Sequence, residues 1–108
     1  MSYKVGTLPE FDRLLKKLAK KYPSLKKEYL QLIESFERNP VQGAPLGNNC
    51  YKVRIAIGSK GKGKRGGGRV ITLVLLAKTA VYLLTIYDKS EQEDISAKDL
   101  MRLINSVE

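Results

Sequence analysis

The apolar positions of this chain follow two periods, and together they predict an order of helices and strands. Residues 3–6 predict a short edge strand. Two helices follow, because apolar residues recur at helical spacing in two separate stretches. The first buried stripe consists of Phe11, Leu14, Leu15 and Leu18, and the second of Leu25, Tyr29, Leu32, Ile33 and Phe36.

Local signals set the limits of these two helices. Thr7 and Glu10 have the spacing of a capping box, so the first helix is predicted to start at Thr7. Pro23 ends that helix, and Ser24 is placed to cap the second. Residues 39–40, Asn-Pro, end the second helix. The short link predicts an antiparallel helical hairpin.

The second half of the chain predicts strands. Residues 41–49 are rich in proline and glycine and predict a loop. Residues 51–57 alternate with a period of two, which predicts a half-buried strand with Lys52 and Arg54 on its open side. Residues 69–77 are apolar on both sides after Arg69, as expected of a central strand.

One more strand and one more helix complete the predicted order. Residues 80–87 form the next strand after a tight turn, and Ser96 caps a final helix with Asp99 at its third position. The result is an α+β domain, with an N-terminal strand and a helical hairpin packed on a small antiparallel sheet and a C-terminal helix. All helices are expected on one sheet face, and residues 1–108 are expected to form a single domain.

Composition narrows the classes of function. The longest apolar runs are strand-sized, so no membrane span is expected, and the start of the chain lacks the features of a signal peptide. The single cysteine, Cys50, cannot form an internal disulfide, which fits a cytoplasmic protein. The chain has no histidine and no cysteine pair, so no metal site and no cofactor are expected.

Charge adds the first functional indication. Twenty basic residues against eleven acidic ones give a net charge of +9, which favours a polyanionic partner such as nucleic acid, a ribosome, an acidic protein or a membrane surface. Nine basic residues lie between Arg38 and Lys78, and no acid occurs from Val41 to Tyr87. The cations are therefore concentrated on the predicted strands and their connecting loop.

That loop, residues 58–68, reads GSKGKGKRGGG and partly matches two phosphate-binding patterns. The P-loop pattern fails because Arg65 stands where a serine or threonine must bind magnesium. Both patterns also require a helix next, whereas a strand is predicted here. What remains is a flexible hairpin loop, which is either a solvated tip or a segment whose cations bind the phosphates of a nucleic acid. These cations are Lys60, Lys62, Lys64 and Arg65.

Several segments resemble the RelE/ParE toxin superfamily. Residues 50–55, CYKVRI, resemble the strand that carries catalytic basic residues in RelE toxins. Residues 60–69, KGKGKRGGGR, are similar to the glycine-basic signature of the HigB-like branch. Residues 83–91, LLTIYDKSE, resemble the last strand and following turn of that branch. The resemblance covers nearly the whole chain.

The resemblance implies a metal-independent endoribonuclease toxin that cuts messenger RNA on the ribosome and is neutralised by a cognate antitoxin, expected to be of helix-turn-helix type. Arg69 would hold the scissile phosphate. Lys52 and Arg54 would supply positive potential, with Lys52 the better proton acceptor because a crowd of cations disfavours a further charge. Tyr87 would stack on a base or bond to phosphate, and Lys89 would assist the leaving group.

The chain departs from RelE at two places, and two other functions stay open. Ser90 stands where RelE has an arginine, and roughly at Ser96 RelE has a tyrosine, which leaves the acid–base assignment open. One alternative is a ParE-type toxin, which shares the fold but inhibits DNA gyrase. The other is a non-enzymatic nucleic-acid-binding module.

Overall fold

The computed structural model describes residues 2–61 and 66–107, within which three α-helices and five β-strands are present. The helices are α1 (Pro9–Lys21), α2 (Leu25–Arg38) and α3 (Ala97–Asn105). The strands are β1 (Lys4–Thr7), β2 (Ala44–Gly47), β3 (Cys50–Ile55), β4 (Gly68–Leu75) and β5 (Ala80–Asp88). Single 3-10 turns cover Gly58–Lys60 and Leu76–Lys78.

The five strands form one mixed sheet in the order β1-β5-β4-β3-β2. β1 pairs with β5 in parallel, and all other neighbours are antiparallel. β4 is the central strand, as its apolar sequence predicts, and β1 is an edge strand. The predicted α+β class is thus confirmed, and the predicted elements occur in the expected order with one additional strand, β2.

The sheet is covered on both faces, which corrects the expectation that every helix lies on one face. The helical hairpin packs on the first face in a core with apolar residues of β3, β4 and β5, such as Val53, Val70 and Leu83. α3 packs Leu100 and Leu103 against the opposite face. The prediction failed because each amphipathic stripe shows only that a helix is buried on one side, and β4 offers apolar side chains to both faces.

Three local expectations are also wrong. Ser24 precedes α2 but makes no capping bond through its side chain, because its hydroxyl bonds to the Glu28 carboxylate at 3.0 Å instead. Residues 41–49 are not all loop, because β2 pairs with β3 as an outer strand. The sequence did not predict this short edge strand, because Pro45 and two glycines are residue types that are uncommon in strands. Thr7 does not cap α1, since it is the last residue of β1, and Leu8 precedes the helix without a side-chain cap. In contrast, the Ser96 side chain accepts the predicted bond from the Asp99 amide at 3.1 Å.

A bulge in β5 sets which side chains share a face. Ile71 pairs with Thr85 whereas Thr72 pairs with Leu83, so Leu84 is the extra residue. Because side chains alternate between faces, this single residue decides where the end of β5 points its side chains. Among the described residues, no helix is long and apolar enough to cross a membrane.

Candidate functional site

Three candidate residues form one row across the sheet. Arg54 pairs with Arg69, and Arg69 pairs with Tyr87. Residues directly opposite each other in adjacent strands lie on the same face, so all three side chains share the face that α3 partly covers. Lys52 pairs with Ile71 one step along the same face. The antiparallel register thereby gathers the cations that the sequence places on two separate strands.

A cleft of about 780 Å³ opens beside this row. It contains four of the five candidate catalytic residues, and Tyr87 does not line it. Its lining residues come from the loop before β2 and the first residue of β2, from β3 and β4, and from the segment after β5. The lining comprises Gln42, Gly43, Ala44, Lys52, Val53, Arg54, Arg69, Lys89, Glu93 and Asp94.

The two arginines of the cleft lie on adjacent strands at directly paired positions. Like charges on directly opposed strand positions destabilise a sheet, yet Arg54 and Arg69 are paired in this way. Arg54 is exposed, whereas Arg69 is only 5% exposed. The Arg69 guanidinium donates to the Gly68 carbonyl at 2.9 Å, which fixes its orientation. A phosphate bound between the arginines would relieve their repulsion and accept charge-assisted hydrogen bonds.

Lys52 has an acidic partner that comes from outside the sheet. Its amino group lies 3.4 Å from the Asp94 carboxylate, whose side chain is 61% exposed. The Ile95 amide donates to Asp94 at 2.8 Å and, together with Lys52, lowers the pKa of Asp94 below its usual range. Asp94 is therefore an ionised carboxylate at the rim of the cleft.

Acidic residues in the cleft were not expected from the sequence. Glu93 and Asp94 follow the last strand and lie outside the basic segment of the chain. In the structure both residues line the cleft together with four cations, so the described lining residues carry a net charge of +2. Gln42 was also missed, and nothing in its sequence surroundings marks it. Among the described residues, no group of three or more acidic or cysteine side chains could hold a metal ion.

Gly43 shows how closely the cleft wall is built. Its φ is +91°, a conformation that side chains rarely adopt. A Cβ at this position would lie 2.2 Å from the carbonyl oxygen of Lys52. Glycine therefore allows the loop before β2 to lie directly against β3 beside the cleft.

Tyr87 lies in the row of candidates, but its ring is packed away from the cleft. It is 7% exposed and belongs to the core beneath α3. Its hydroxyl is buried and has no hydrogen-bond partner among the described residues. Burial, reinforced by Asp94 and opposed by Arg69, raises the pKa of Tyr87, so the phenol keeps its proton. This environment favours a packing role for Tyr87 in the free protein over stacking on a base.

Lys89 is held at the cleft through its backbone. Its amide donates to the Gly67 carbonyl at 3.0 Å, just beyond the last pair of the β4–β5 ladder. The side chain is half-buried and lines the cleft. Its location is compatible with contact to a bound phosphate or leaving group.

The candidate RNA-binding loop contributes one described cation. Lys62, Lys64 and Arg65 lie outside the described residues. The side chain of Lys60 is only 6% exposed and forms an ion pair with Asp88. Its ammonium group therefore points towards the protein interior and is poorly accessible to a phosphate in solution. The sequence does not reveal this pair, because the two residues are 28 positions apart.

Comparison with known proteins identifies the family. Residues 11–106 match the family described as the RelE toxin of the RelE/RelB toxin-antitoxin system. This match covers most of the chain, so the protein belongs to the RelE toxin family. The matching family gives no support to the ParE-type alternative, and it does not distinguish the HigB-like branch.

Solved structures agree with this fold. An arginine-to-alanine variant of the Escherichia coli toxin RelE in the free state is similar with a TM-score of 0.62, at 14% identity and with 100% of both chains covered. A RelBE toxin-antitoxin complex from Mycobacterium tuberculosis is similar with a TM-score of 0.61, at 21% identity over 82% of this chain and 92% of that chain. At such low identity the likeness concerns the fold alone.

Proposed function

We propose that this protein is a ribosome-dependent messenger RNA endoribonuclease, acting as the toxin of a toxin-antitoxin pair in the HigB-like branch. The observation that carries the proposal is the pairing of Arg54 with Arg69 inside a cleft that also contains Lys52 and Lys89. Concentrated positive charge attracts the phosphates of a nucleic acid, and family membership makes RNA the expected one.

The reaction that fits this cleft uses the substrate's own 2′-OH. The 2′ oxygen forms a bond to the adjacent phosphorus, and the bond from phosphorus to the 5′ oxygen breaks. The products are a 2′,3′-cyclic phosphate and a 5′-hydroxyl end. The protein must accept the 2′ proton, stabilise the charge that grows on phosphate and protonate the leaving oxygen.

Each role has a candidate in the cleft. Arg69 would hold the scissile phosphate, since its buried guanidinium is already oriented by the Gly68 carbonyl. Lys52 would accept the 2′ proton as a neutral amine, after the incoming RNA displaces Asp94 and the ammonium group releases its own proton to water. The ammonium of Lys89 would donate the proton to the leaving 5′ oxygen. No step in this scheme requires a metal.

The antitoxin is the proposed regulatory partner. The Mycobacterium tuberculosis structure is a toxin-antitoxin complex, and the E. coli toxin is also similar, with a TM-score of 0.52, when bound to an antitoxin peptide. We expect a cognate antitoxin, encoded nearby and carrying a helix-turn-helix domain, to neutralise this protein in the cytoplasm. Co-expression of the neighbouring reading frame should yield a stable complex and restore growth.

The test of the proposed activity uses purified toxin and programmed ribosomes. We expect cleavage of ribosome-bound messenger RNA that leaves 5′-hydroxyl ends, persists in EDTA under conditions where the ribosomes stay intact, and is absent for the same RNA free in solution. Intact transcripts with rapid arrest of DNA replication would overturn the proposal and support gyrase inhibition. Binding to ribosomes without cleavage would support a non-enzymatic RNA-binding module.

A further inference from the structure

A partly buried polar cluster lies at the end of β5, next to the candidate site, with the Asp88 carboxylate buried at its centre. It consists of Tyr22, Lys60, Asp88 and Ser90, and is called the Asp88 cluster here. Asp88 lies between Tyr87 and Lys89 in sequence and pairs with Gly68, the residue before Arg69. The cluster therefore joins the backbone of two strands that carry candidate catalytic residues.

All the hydrogen-bonding capacity of the Lys60 ammonium group is used inside the protein. It contacts the Asp88 carboxylate, the Ser90 hydroxyl at 3.2 Å and the Gly67 carbonyl at 3.5 Å. An ammonium group has three N–H donors, so these three acceptors account for them. It also lies 5.6 Å from the centre of the Tyr22 ring. A phosphate could bind Lys60 only if several of these contacts broke.

The Asp88 carboxylate is equally saturated. Besides Lys60, it accepts the Tyr22 hydroxyl at 2.7 Å, the Ser90 hydroxyl at 2.7 Å and the Ser90 amide at 3.0 Å. Burial alone would raise the pKa of Asp88, but the bonds from Lys60, Tyr22 and Ser90 outweigh it and hold the pKa well below its usual range. The carboxylate is thus a fixed negative charge.

The same residue organises the turn that carries Lys89. The Glu91 and Gln92 amides donate to the Asp88 carbonyl at 3.0 and 3.1 Å, while the Ser90 amide binds its side chain. The carbonyl of Gly67 binds both the Lys89 amide and the Lys60 ammonium. Lys89 is consequently held from both sides by groups of the Asp88 cluster.

We propose that the Asp88 cluster positions Lys89 and the start of β4 for reaction, and that Lys60 acts through Asp88 as a positioning residue without contacting RNA. This inference rests on the proposed ribonuclease function. It assigns Lys60 a different role from the one that its place in the glycine-basic loop predicts. It also brings Tyr22, at the end of α1, into the support of a cleft that it does not line.

The first experiment separates positioning from RNA binding. Single-turnover cleavage is measured over a range of ribosome concentrations and salt for Lys60→Met, with Lys27→Met as a matched control at an exposed site on α2. We expect the saturating rate of Lys60→Met to fall by tenfold or more, with an unchanged half-saturating concentration and salt dependence. A normal saturating rate with weaker binding and a salt slope reduced by about one would show an RNA contact and overturn the proposal.

Two further variants keep the test decisive if Lys60→Met folds poorly. Tyr22→Phe removes one hydroxyl without leaving a charge unpaired, and we expect a several-fold lower saturating rate with unchanged half-saturation. The double variant Lys60→Met with Asp88→Asn removes both charges, so it should regain stability while its rate stays low. A wild-type rate in folded Tyr22→Phe, or recovery of rate together with stability in the double variant, would overturn the proposal.

An RNA-free measurement distinguishes failure of this inference from failure of the proposed function. Amide hydrogen exchange of Lys89 and Ser90 should accelerate at least tenfold in Tyr22→Phe, while amides in the middle of β4 keep their protection. Unchanged exchange at both residues would overturn the positioning role. Absence of cleavage by the wild-type protein would reject the ribonuclease function alone, since the exchange result does not depend on it.

Discussion

Replacement of Arg69 by alanine is the most direct test of the proposed chemistry. Arg69 is 5% exposed, lies opposite Arg54 in the sheet and has its guanidinium oriented by the Gly68 carbonyl at 2.9 Å. A group fixed in this way requires little rearrangement when charge develops on a phosphate. Removing one such preorganised donor typically costs a factor of about 10² to 10³ in rate, or about 3–4 kcal/mol.

The same structure predicts a small effect on stability. Removing Arg69 eliminates the repulsion from Arg54, which is worth a few tenths to about 1 kcal/mol for opposed like charges. It also removes the packing of the buried arginine stem and the hydrogen bond to the Gly68 carbonyl, which both act in the opposite direction. We therefore expect the free energy of unfolding of Arg69→Ala to stay within about 1 kcal/mol of the wild type, given these opposing contributions.

The assay is single-turnover cleavage on saturating programmed ribosomes, with urea unfolding to confirm the fold. Arg38→Ala is the matched control, because Arg38 is an exposed arginine in the last turn of α2. Arg69→Lys should recover little activity, since lysine keeps the charge but cannot make bidentate contacts to phosphate. If Arg69→Ala cuts at the wild-type rate under saturation, Arg69 is a binding residue and the proposed mechanism is wrong.

Further predictions concern the acidic and buried groups. Asp94→Asn should change the free energy of unfolding by less than about 1 kcal/mol, as expected for an exposed ion pair. It should nevertheless tighten ribosome binding several-fold at low salt, because Lys52 loses its acidic partner; weaker binding would contradict this. Burial raises the pKa of the Cys50 thiol to about 11. At about pH 8 the reaction of Cys50 with a thiol reagent should therefore be roughly a hundredfold slower in the folded protein than in urea. Equal rates would refute the burial of this thiol. The pKa of Asp88 is lowered in the folded protein, so its ionised carboxylate stabilises the fold above the unfolded-state pKa of about 4. This stabilisation is lost as the pH falls towards the folded-state pKa, so the urea midpoint should drop less between about pH 5 and about pH 2.5 for Asp88→Asn than for the wild type. Parallel drops would refute this.

The charge of the protein illustrates how far composition can lead. The net charge of +9 correctly indicated a basic surface, but it could not locate a site. Several cations, among them Lys16, Lys20 and Lys27, are exposed on the helices far from the cleft in sequence. Alternation along β3 placed Lys52 and Arg54 on one side of their strand, and that part of the site was predictable because side chains in a strand alternate strictly.

The sequence by itself determined the class of the fold, the order of its main elements and the segment that supplies the basic residues. Those features follow from local periods of 2 and 3.6 residues and from capping groups such as Ser96, which act within a few positions of the chain. The resemblance on residues 50–55 and 60–69 also led to the correct superfamily.

Tertiary structure alone decided which groups meet. The bulge at Leu84 and the strand register bring Arg54, Arg69 and Tyr87 into one row, and the fold of the chain after β5 brings Asp94 to Lys52. Lys60 is the clearest example, because its loop sequence suggests an RNA contact, whereas in the folded protein it forms an ion pair with Asp88. Periodicity records which side of an element is apolar, whereas contacts between distant residues depend on how the elements pack, and no local pattern encodes them.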